Sequence, residues 1–435
     1  MKLFDSYTNA LVDFNESDIS IYNCGPTVYN HIHIGNARPL VSMDVLYRFL
    51  LAKNKNVKYV LNITDIDDKI INYALENNRK ELEVSEEFFQ AYLQIKKQLN
   101  TLTMVNPKVS DHMNEIIDYI SVLLSQDKAY IVGDDVYFDT SCVNNYGELS
   151  KIKVDENIHG KRIFNVKEKR NPNDFVLWKK TDKGLVWTTP FGVGRPGWHT
   201  ECVCLINKYL GKQISIHGGG MDLKFPHHEN ENAQNNAIYN QNLARIWMHF
   251  GLINIDNQKM SKSLNNFILM KDLLKQYSYQ VIRWFFYQTK YSQPLNFSHE
   301  ILKQCENDVL KIKQTMIRLI NFFVINECEF TNLKKEVCVE FDEYAENDLN
   351  FANMIKVVFD LVKNANLLLK SKDLLKISRV YQQLIYCLDV LGIEFTNVHT
   401  PDNIALLRKW HNSVKHQNYE EADRLRTELI GLGLL

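Results

Sequence analysis

The stretch Cys24 to Arg38 reads C-G-P-T-V-Y-N-H-I-H-I-G-N-A-R and sets two imidazoles, His31 and His33, just before Gly35 and Asn36. Side chains that bond anions, beside a glycine that lets backbone come close, suit a phosphate-bearing ligand. A second stretch, Lys259 to Ser263, reads K-M-S-K-S. Its lysines are compact, flexible point charges, suited to a mobile phosphate clamp. A third set offers metal-ligand types: Cys24, the pair Cys202 and Cys204, and the run His227, His228 and Glu231. On a helix His227 and Glu231 share a face. His228 lies about 100° from His227, and Cys202 lies about 200° from Cys204, so only one of those cysteines can face a common site. No C-x-x-C pair is present, so these residues by themselves fit a metal centre or an ordinary core and surface.

Elements must bring these residues together. Ile19 to Asn23 reads as a buried strand that Gly25 and Pro26 interrupt. Apolar periodicity from near Arg38 through Val41, Val45, Leu46 and Phe49 predicts a helix, and Val57 to Thr64 predicts the next strand. A β–α–β unit of this kind is right-handed and binds ligands at the carboxyl ends of its strands. Asp65, Asp67 and Asp68 then favour a helix N-terminus. Helical periodicity runs from about 85 to 130, and Val136 to Phe138 reads as a strand. Pro196 and Gly197 open a helix over Trp198 to Leu210. A strand over Gln213 to His217 is ended by Gly218, Gly219 and Gly220, and a helix starts after Pro226. Asp272 to Lys290 reads as one amphipathic helix, Ile301 to about Leu391 as helical with few breakers, and Pro401 to Leu435 as a small helical hairpin. The fold class is therefore α/β, a Rossmann-like parallel-sheet half with an insertion followed by an all-α helical bundle.

The 435 residues carry 45% apolar and 24% charged side chains and a formal net charge of -1. A nucleic-acid partner must therefore be met by local basic patches, not by the global field. Lys151 to Lys180 is such a run, with nine Lys/Arg against four Asp/Glu. No apolar stretch approaches the roughly 18 residues that span a membrane, and the N-terminus has no signal-peptide pattern. Eight scattered cysteines without framework spacing point to reduced thiols and a cytoplasmic protein.

His33-Ile34-Gly35-Asn36 with K-M-S-K-S resembles the paired signatures of class I aminoacyl-tRNA synthetases, with asparagine in place of the last histidine of H-I-G-H. N-I-T-D-I-D-D-K-I from Asn62, N-P-N-D-F-V-L-W-K from Asn171, G-R-P-G-W-H-T-E-C from Gly194 and F-P-H-H-E-N-E from Phe225 resemble cysteinyl-tRNA synthetases specifically. The resemblance covers nearly the whole chain. It implies ATP-dependent activation of L-cysteine to cysteinyl-adenylate and transfer to the terminal adenosine of tRNA(Cys). One Zn²⁺ would be bound by Cys24, Cys202, His227 and Glu231, the substrate thiolate either adding as a fifth ligand or displacing Glu231. His33, Gly35 and Asn36, with Lys259 and Lys262, would meet the phosphates of ATP and its Mg²⁺, and Lys262, Lys259 and His33 would act in catalysis. Thr64, Trp198, His217 and Asp222 would surround the cysteine.

The resemblance also implies an organisation. A catalytic domain over 1–250 has its insertion at roughly 85–190. A lysine-loop and stem-contact region covers 251–300, a helical-bundle anticodon-binding domain 301–395 and a small helical hairpin 396–435. Lys161 and Arg162 in the insertion are expected to meet the RNA acceptor end. The chain is expected to be monomeric, with no membrane contact. The alternatives are a cysteine-activating ligase acting on an amino-sugar, or an inactive zinc- or RNA-binding homologue.

Overall fold

The chain enters its central sheet at Ile19–Asn23, where branched and aromatic side chains favour extended backbone. The structure, a computed structural model, describes residues 1–152, 169–260, 266–330 and 333–435. A short antiparallel hairpin, β1 (Lys2–Asp5) and β2 (Ala10–Asp13), precedes β3 (Asp18–Asn23). Helix α1 (Ile34–Ala52) leads back to β4 (Asn56–Leu61), which pairs with β3 in parallel. Helix α1 starts four residues before Arg38 because His33 caps it. It is apolar nearly all round, with Leu40, Val41, Val45, Leu46 and Phe49 all buried, as a central helix must be. Burying each such side chain contributes about 1.5–3 kcal/mol. Its buried charges are paired: Arg38 donates to the Gly251 carbonyl at 2.8 Å, and Arg48 to Asp44 at 2.8 Å.

Helices α2 (Asp68–Glu76), α3 (Glu81–Gln98) and α4 (Met113–Ser125) follow. Next come β5 (Ala129–Val132), β6 (Asp135–Phe138), β7 (Phe175–Lys180), β8 (Trp187–Thr189) and β9 (Gly192–Pro196). They form an antiparallel sheet in the order β5-β6-β7-β9-β8. Lys161 and Arg162 lie outside the described residues. Helix α5 (Trp198–Tyr209), β10 (Ile214–Gly220), α6 (Glu229–Tyr239) and β11 (Ala244–Phe250) complete the parallel sheet, in the order β11-β10-β3-β4.

Two sequence expectations fail here. The three glycines do not end β10 but form its last residues, because the sheet is crowded at that point. A Cβ on Gly218 would lie 2.5 Å from Met43 Cε, and one on Gly219 2.6 Å from His228 Cε1. After β12 (Ile253–Ile255) and β13 (Gln258–Lys259), the single helix expected over Asp272 to Lys290 is two: α7 (Met270–Gln276) and α8 (Tyr279–Phe286). Ser278 between them has extended backbone (φ -65°, ψ 153°), which no helix accommodates.

Strand β14 (Leu295–Phe297) joins β12 in a small sheet. The remaining described elements are helices: α9 (His299–Ile325), α10 (Val339–Glu346), α11 (Phe351–Ser371), α12 (Leu374–Val390), α13 (Pro401–Lys415) and α14 (Tyr419–Gly431). The chain divides into two compact units, residues 1–276 with 291–296, and 277–290 with 297–435. The second unit is a helical bundle into which Met354, Val358 and Val362 of α11 point one buried stripe. No described helix is long and apolar enough to cross a membrane.

Candidate functional site

The carboxyl ends of β3 and β10 lie side by side, as parallel strands with helical crossovers require. Cys24 follows β3 directly and its N–H donates to the Gly218 carbonyl at 3.1 Å. Cys202 sits in the first turns of α5, and Glu231 in the first turn of α6. His227 lies just before α6 in a widened turn over Lys224–His228. The two sulfurs are 3.9 Å apart, Cys24 Sγ is 3.6 Å from Glu231 Oε1, and Cys202 Sγ is 3.6 Å from His227 Nε2. His227 Nε2 is 2.8 Å from Glu231 Oε1. Ligand atoms of all four residues lie within 4.8 Å of one another, a group able to hold a metal ion. Two zinc–sulfur bonds of about 2.3 Å at a tetrahedral angle put their sulfurs ~3.8 Å apart. The thiol spacing therefore fits zinc with little adjustment, and two sulfurs, one imidazole and one carboxylate are donors that zinc takes.

Electrostatics favour a cation there. Burial pushes the Glu231 carboxyl up, but His227 and His217 outweigh it and hold it well below the usual carboxylate range. Each of its oxygens meets one imidazole, His217 Nε2 at 2.7 Å and His227 Nε2 at 2.8 Å. Burial lowers the His227 pKa, yet Glu231 and the Cys202 thiol raise it to about 10. The Cys202 thiol is drawn down to about 7, first by its hydrogen bond with Cys24, against burial. Burial and the neighbouring Cys202 push the Cys24 thiol well up. A fully buried carboxylate and a thiolate-prone cysteine need a positive charge beside them, because a lone buried charge costs several kcal/mol. The alternative to a protonated histidine is a metal ion.

A second group shares Cys24 and Glu231 but adds His217 and His228. His228 Nε2 is 3.4 Å from Cys24 Sγ. Sequence spacing set His228 about 100° from His227 and left it out of the expected ligand set. Phe225 has extended backbone inside the turn (φ -139°, ψ 134°), while His228 is helical (φ -67°, ψ -33°). Gly219 supplies the room His228 occupies. Sequence reading also missed His199 and His249. His199 Nδ1 lies 3.0 Å from His227 Nδ1, leaving His227 Nε2 to face the cluster. His249 Nε2 lies 2.8 Å from His228 Nδ1. Burial and the neighbouring His227 push His199 down to about 3. Burial, then Lys224, pushes His249 down to about 3. The signal for His249 was its position at the carboxyl end of the strand next to His217.

The expected pocket residues separate. His217 lies in the cluster, its ring stacked on Trp247 with centroids 4.6 Å apart. Trp198 stacks on His227 at 4.1 Å and remains 38% exposed. It also lines a cavity of about 210 Å³ with Ile66, Asp67, Phe175, Arg195 and Glu201. Arg195 pairs with Asp68 at its mouth. Thr64 is buried and donates to Glu201 Oε2 at 3.5 Å. Asp222 is exposed, in the turn after β10, and is not drawn into the cluster.

At the turn between β3 and α1, His33 Nδ1 accepts from the Gly35 N–H at 3.1 Å, and Asn36 Oδ1 accepts from the His33 N–H at 3.2 Å. This reciprocal cap starts α1. It also explains why asparagine serves at position 36: the bond needs a side-chain acceptor. A Cβ on Gly35 would be 3.0 Å from Met260 Cε, and Ile34 N–H donates to the Ile268 carbonyl at 2.9 Å. The segment flanking the lysine loop thus lies against the helix start. The backbone of Lys259 ends β13. Lys262 lies outside the described residues.

The family model described as tRNA synthetases class I (C) catalytic domain matches residues 10–307. A second, described as DALR domain, matches residues 340–396. A curated relative from Ureaplasma parvum serovar 3, named cysteine–tRNA ligase, is 59% identical over 440 residues, covering 100% of both chains. One of the same name from Mycoplasmoides gallisepticum is 47% identical, again over 100% of both. Among solved structures, Mycobacterium tuberculosis methionyl-tRNA synthetase bound by methionyl-adenylate aligns with a TM-score of 0.61 at 12% identity, over 90% of this chain and 93% of that one. The ternary complex of Agrobacterium radiobacter LeuRS with tRNA aligns with a TM-score of 0.63 at 8% identity, over 90% and 85%. These two share the fold.

Proposed function

The chain belongs to the cysteine–tRNA ligase family of class I tRNA synthetases and is an ATP-dependent ligase, and from that premise we propose that Cys24, Cys202, His227 and Glu231 hold one zinc ion that selects the substrate's thiol. The observation that carries this reading is the convergence of the four ligand atoms at the strand ends, with the thiols 3.9 Å apart. When bound, zinc supplies a soft Lewis acid that prefers a thiolate to a hydroxyl. A site that demands one specific bond separates near-isosteres far better than a hydrophobic pocket does.

In the first step the cysteine carboxylate attacks the α-phosphorus of ATP, which enters with Mg²⁺, and pyrophosphate leaves. In the second, a ribose hydroxyl of the terminal tRNA adenosine attacks the adenylate carbonyl and AMP leaves. Such transfers depend on positioning and charge stabilisation. Gly35 keeps the start of α1 free of a side chain, so that phosphate meets the positive end of that helix's dipole. Lys259 and Lys262 neutralise the phosphates, while His33 and Asn36 fix the helix start that faces them. Trp198 and His217 form walls of the cysteine pocket, and the exposed Asp222 takes the substrate ammonium at its rim. The helices over 301–395, which overlap the DALR match, read the anticodon arm. The enzyme works as a monomer in the cytoplasm, a setting supported by its eight free cysteines.

The experiment that tests this reading follows cysteine-dependent exchange of pyrophosphate into ATP, then transfer of labelled cysteine to tRNA. Exchange without transfer favours a ligase for an amino-sugar, and neither favours an inactive homologue. Lys262→Ala is expected to slow exchange about 10²–10³-fold, the usual effect of removing a group that stabilises transition-state charge. Zinc content should stay at the native level. Exchange at the native rate would remove Lys262 from that role.

A further inference from the structure

Asn62 lies between the loop that carries Cys24 and the helix that carries Cys202. Its Oδ1 accepts from the Gly25 N–H at 2.9 Å, one residue after Cys24. Its Nδ2 donates to Thr64 Oγ1 at 3.2 Å. Thr64 Oγ1 in turn donates to Glu201 Oε2 at 3.5 Å, one residue before Cys202. All three side chains are almost wholly buried: Asn62 1% exposed, Thr64 2% and Glu201 1%. The backbone runs along the same path, since Thr64 N–H donates to the Pro26 carbonyl at 3.3 Å and Val28 N–H to the Thr64 carbonyl at 3.1 Å. The two thiol-bearing segments are therefore joined by a continuous polar path that touches neither sulfur.

We infer that Asn62, Thr64 and Glu201 are positioning residues that hold Cys24 and Cys202 at the separation a thiophilic metal ion requires, and so raise the affinity of the centre for it. The inference rests on the zinc reading above. It gives Thr64 a second task beside the pocket wall, and gives Glu201 and Asn62 tasks that their place in the core does not by itself imply. The tolerance is narrow. The sulfurs are 3.9 Å apart, and a tetrahedral zinc needs ~3.8 Å, so a drift of a few tenths of an ångström in either segment strains a bond. Groups bonded to a metal's ligands change its affinity by about 10–100-fold when removed, and these three act through the backbone beside the ligands, so the lower end of that range is expected.

The test measures zinc affinity of the full-length protein by competition with a chromophoric chelator, and the thiolate-to-metal absorption of the Co²⁺-loaded protein. Thr64→Val keeps the shape but loses the hydroxyl, and is expected to weaken zinc binding about tenfold and to diminish the cobalt band. Thr64→Ser restores the hydroxyl and should recover both to within about twofold. Glu201→Ala should match Thr64→Val, Glu201→Gln should keep near-native affinity through its amide oxygen, and Thr64→Val with Glu201→Ala should be no worse than either alone. A role in core stability alone would lower the melting temperature without moving the cobalt band. Native zinc affinity in folded Thr64→Val and Glu201→Ala overturns the inference and leaves the zinc reading standing. Should Thr64→Val not fold, the Glu201→Ala and Glu201→Gln comparison decides by the same criterion. A native protein that takes up no zinc overturns both.

Discussion

Cys202→Ser is expected to emerge from purification with less than about a tenth of the native zinc, since a serine hydroxyl is not ionised near neutrality and zinc binds the anion of its ligand. The other three ligands remain, but they hold Glu231 between two imidazoles, His217 at 2.7 Å and His227 at 2.8 Å. Without the metal that carboxylate is satisfied by histidine protons, so the remaining ligands can stay buried with no ion between them. Cysteine-dependent pyrophosphate exchange should fall, and discrimination against serine should drop from the ~10⁴–10⁵ of a bond-specific site to no more than ~10². Zinc should also stabilise the native protein against heat and fail to stabilise the variant, because a ligand bound only to the folded state shifts its stability by mass action. Cys204→Ser is the control. It lies two residues on, buried in the core cluster with Val203, Leu205 and Tyr119. It should lose stability, as a buried hydroxyl without a designed partner does, and keep its zinc. A zinc-free Cys202→Ser that still prefers cysteine over serine would end the proposal that a metal selects the thiol.

The contrast between Cys202 and Cys204 also marks how far sequence could be read. Spacing on a helix said that only one of them could face a shared site, and in the structure Cys202 faces the cluster while Cys204 packs into the core. The same rule paired His227 with Glu231, and that pair survived the irregular turn because four residues still span one helical rise. It also set His228 about 100° from His227, but could not foresee that His228 Nε2 comes within 3.4 Å of Cys24 Sγ in a second, overlapping group. The glycines after His217 misled for a related reason. Glycine usually breaks a strand, but here it thins one so that Met43 and His228 can approach. The parallel sheet followed by helices was legible because apolar periods switch cleanly along the chain. Contacts made across it, such as His199 on His227 and Asn62 on Gly25, carry no local signal at all.

Gly25→Ala should have the largest effect on stability of any single methyl added to the catalytic half. An ideal Cβ at Gly25 would sit 1.6 Å from the Asn62 carbonyl oxygen and 2.9 Å from Leu61 Cδ2. The first of these is backbone at the end of β4 and cannot swing aside as a flexible side chain would. Relief requires moving either the loop after β3 or the end of β4, and both are pinned: Gly25 N–H by Asn62 at 2.9 Å, Leu61 N–H by the Val105 carbonyl at 2.9 Å. The expected cost is at least about 4 kcal/mol, the range reserved for overpacking that the surroundings cannot absorb. Urea unfolding should show a large fall in midpoint, or no folded catalytic unit at all. Because the displaced loop carries Cys24, any fraction that folds should bind zinc more weakly than native protein. Gly431→Ala provides the contrast, since a Cβ there meets nothing within 4 Å. At the end of a helix it should leave the unfolding free energy unchanged or raise it by up to about 1 kcal/mol, with the midpoint moving accordingly. The bare residue at position 25 is thus required by close approach of two chain segments, and a Gly25→Ala protein as stable as the native one would mean that the turn beside Cys24 is not held where the metal centre needs it.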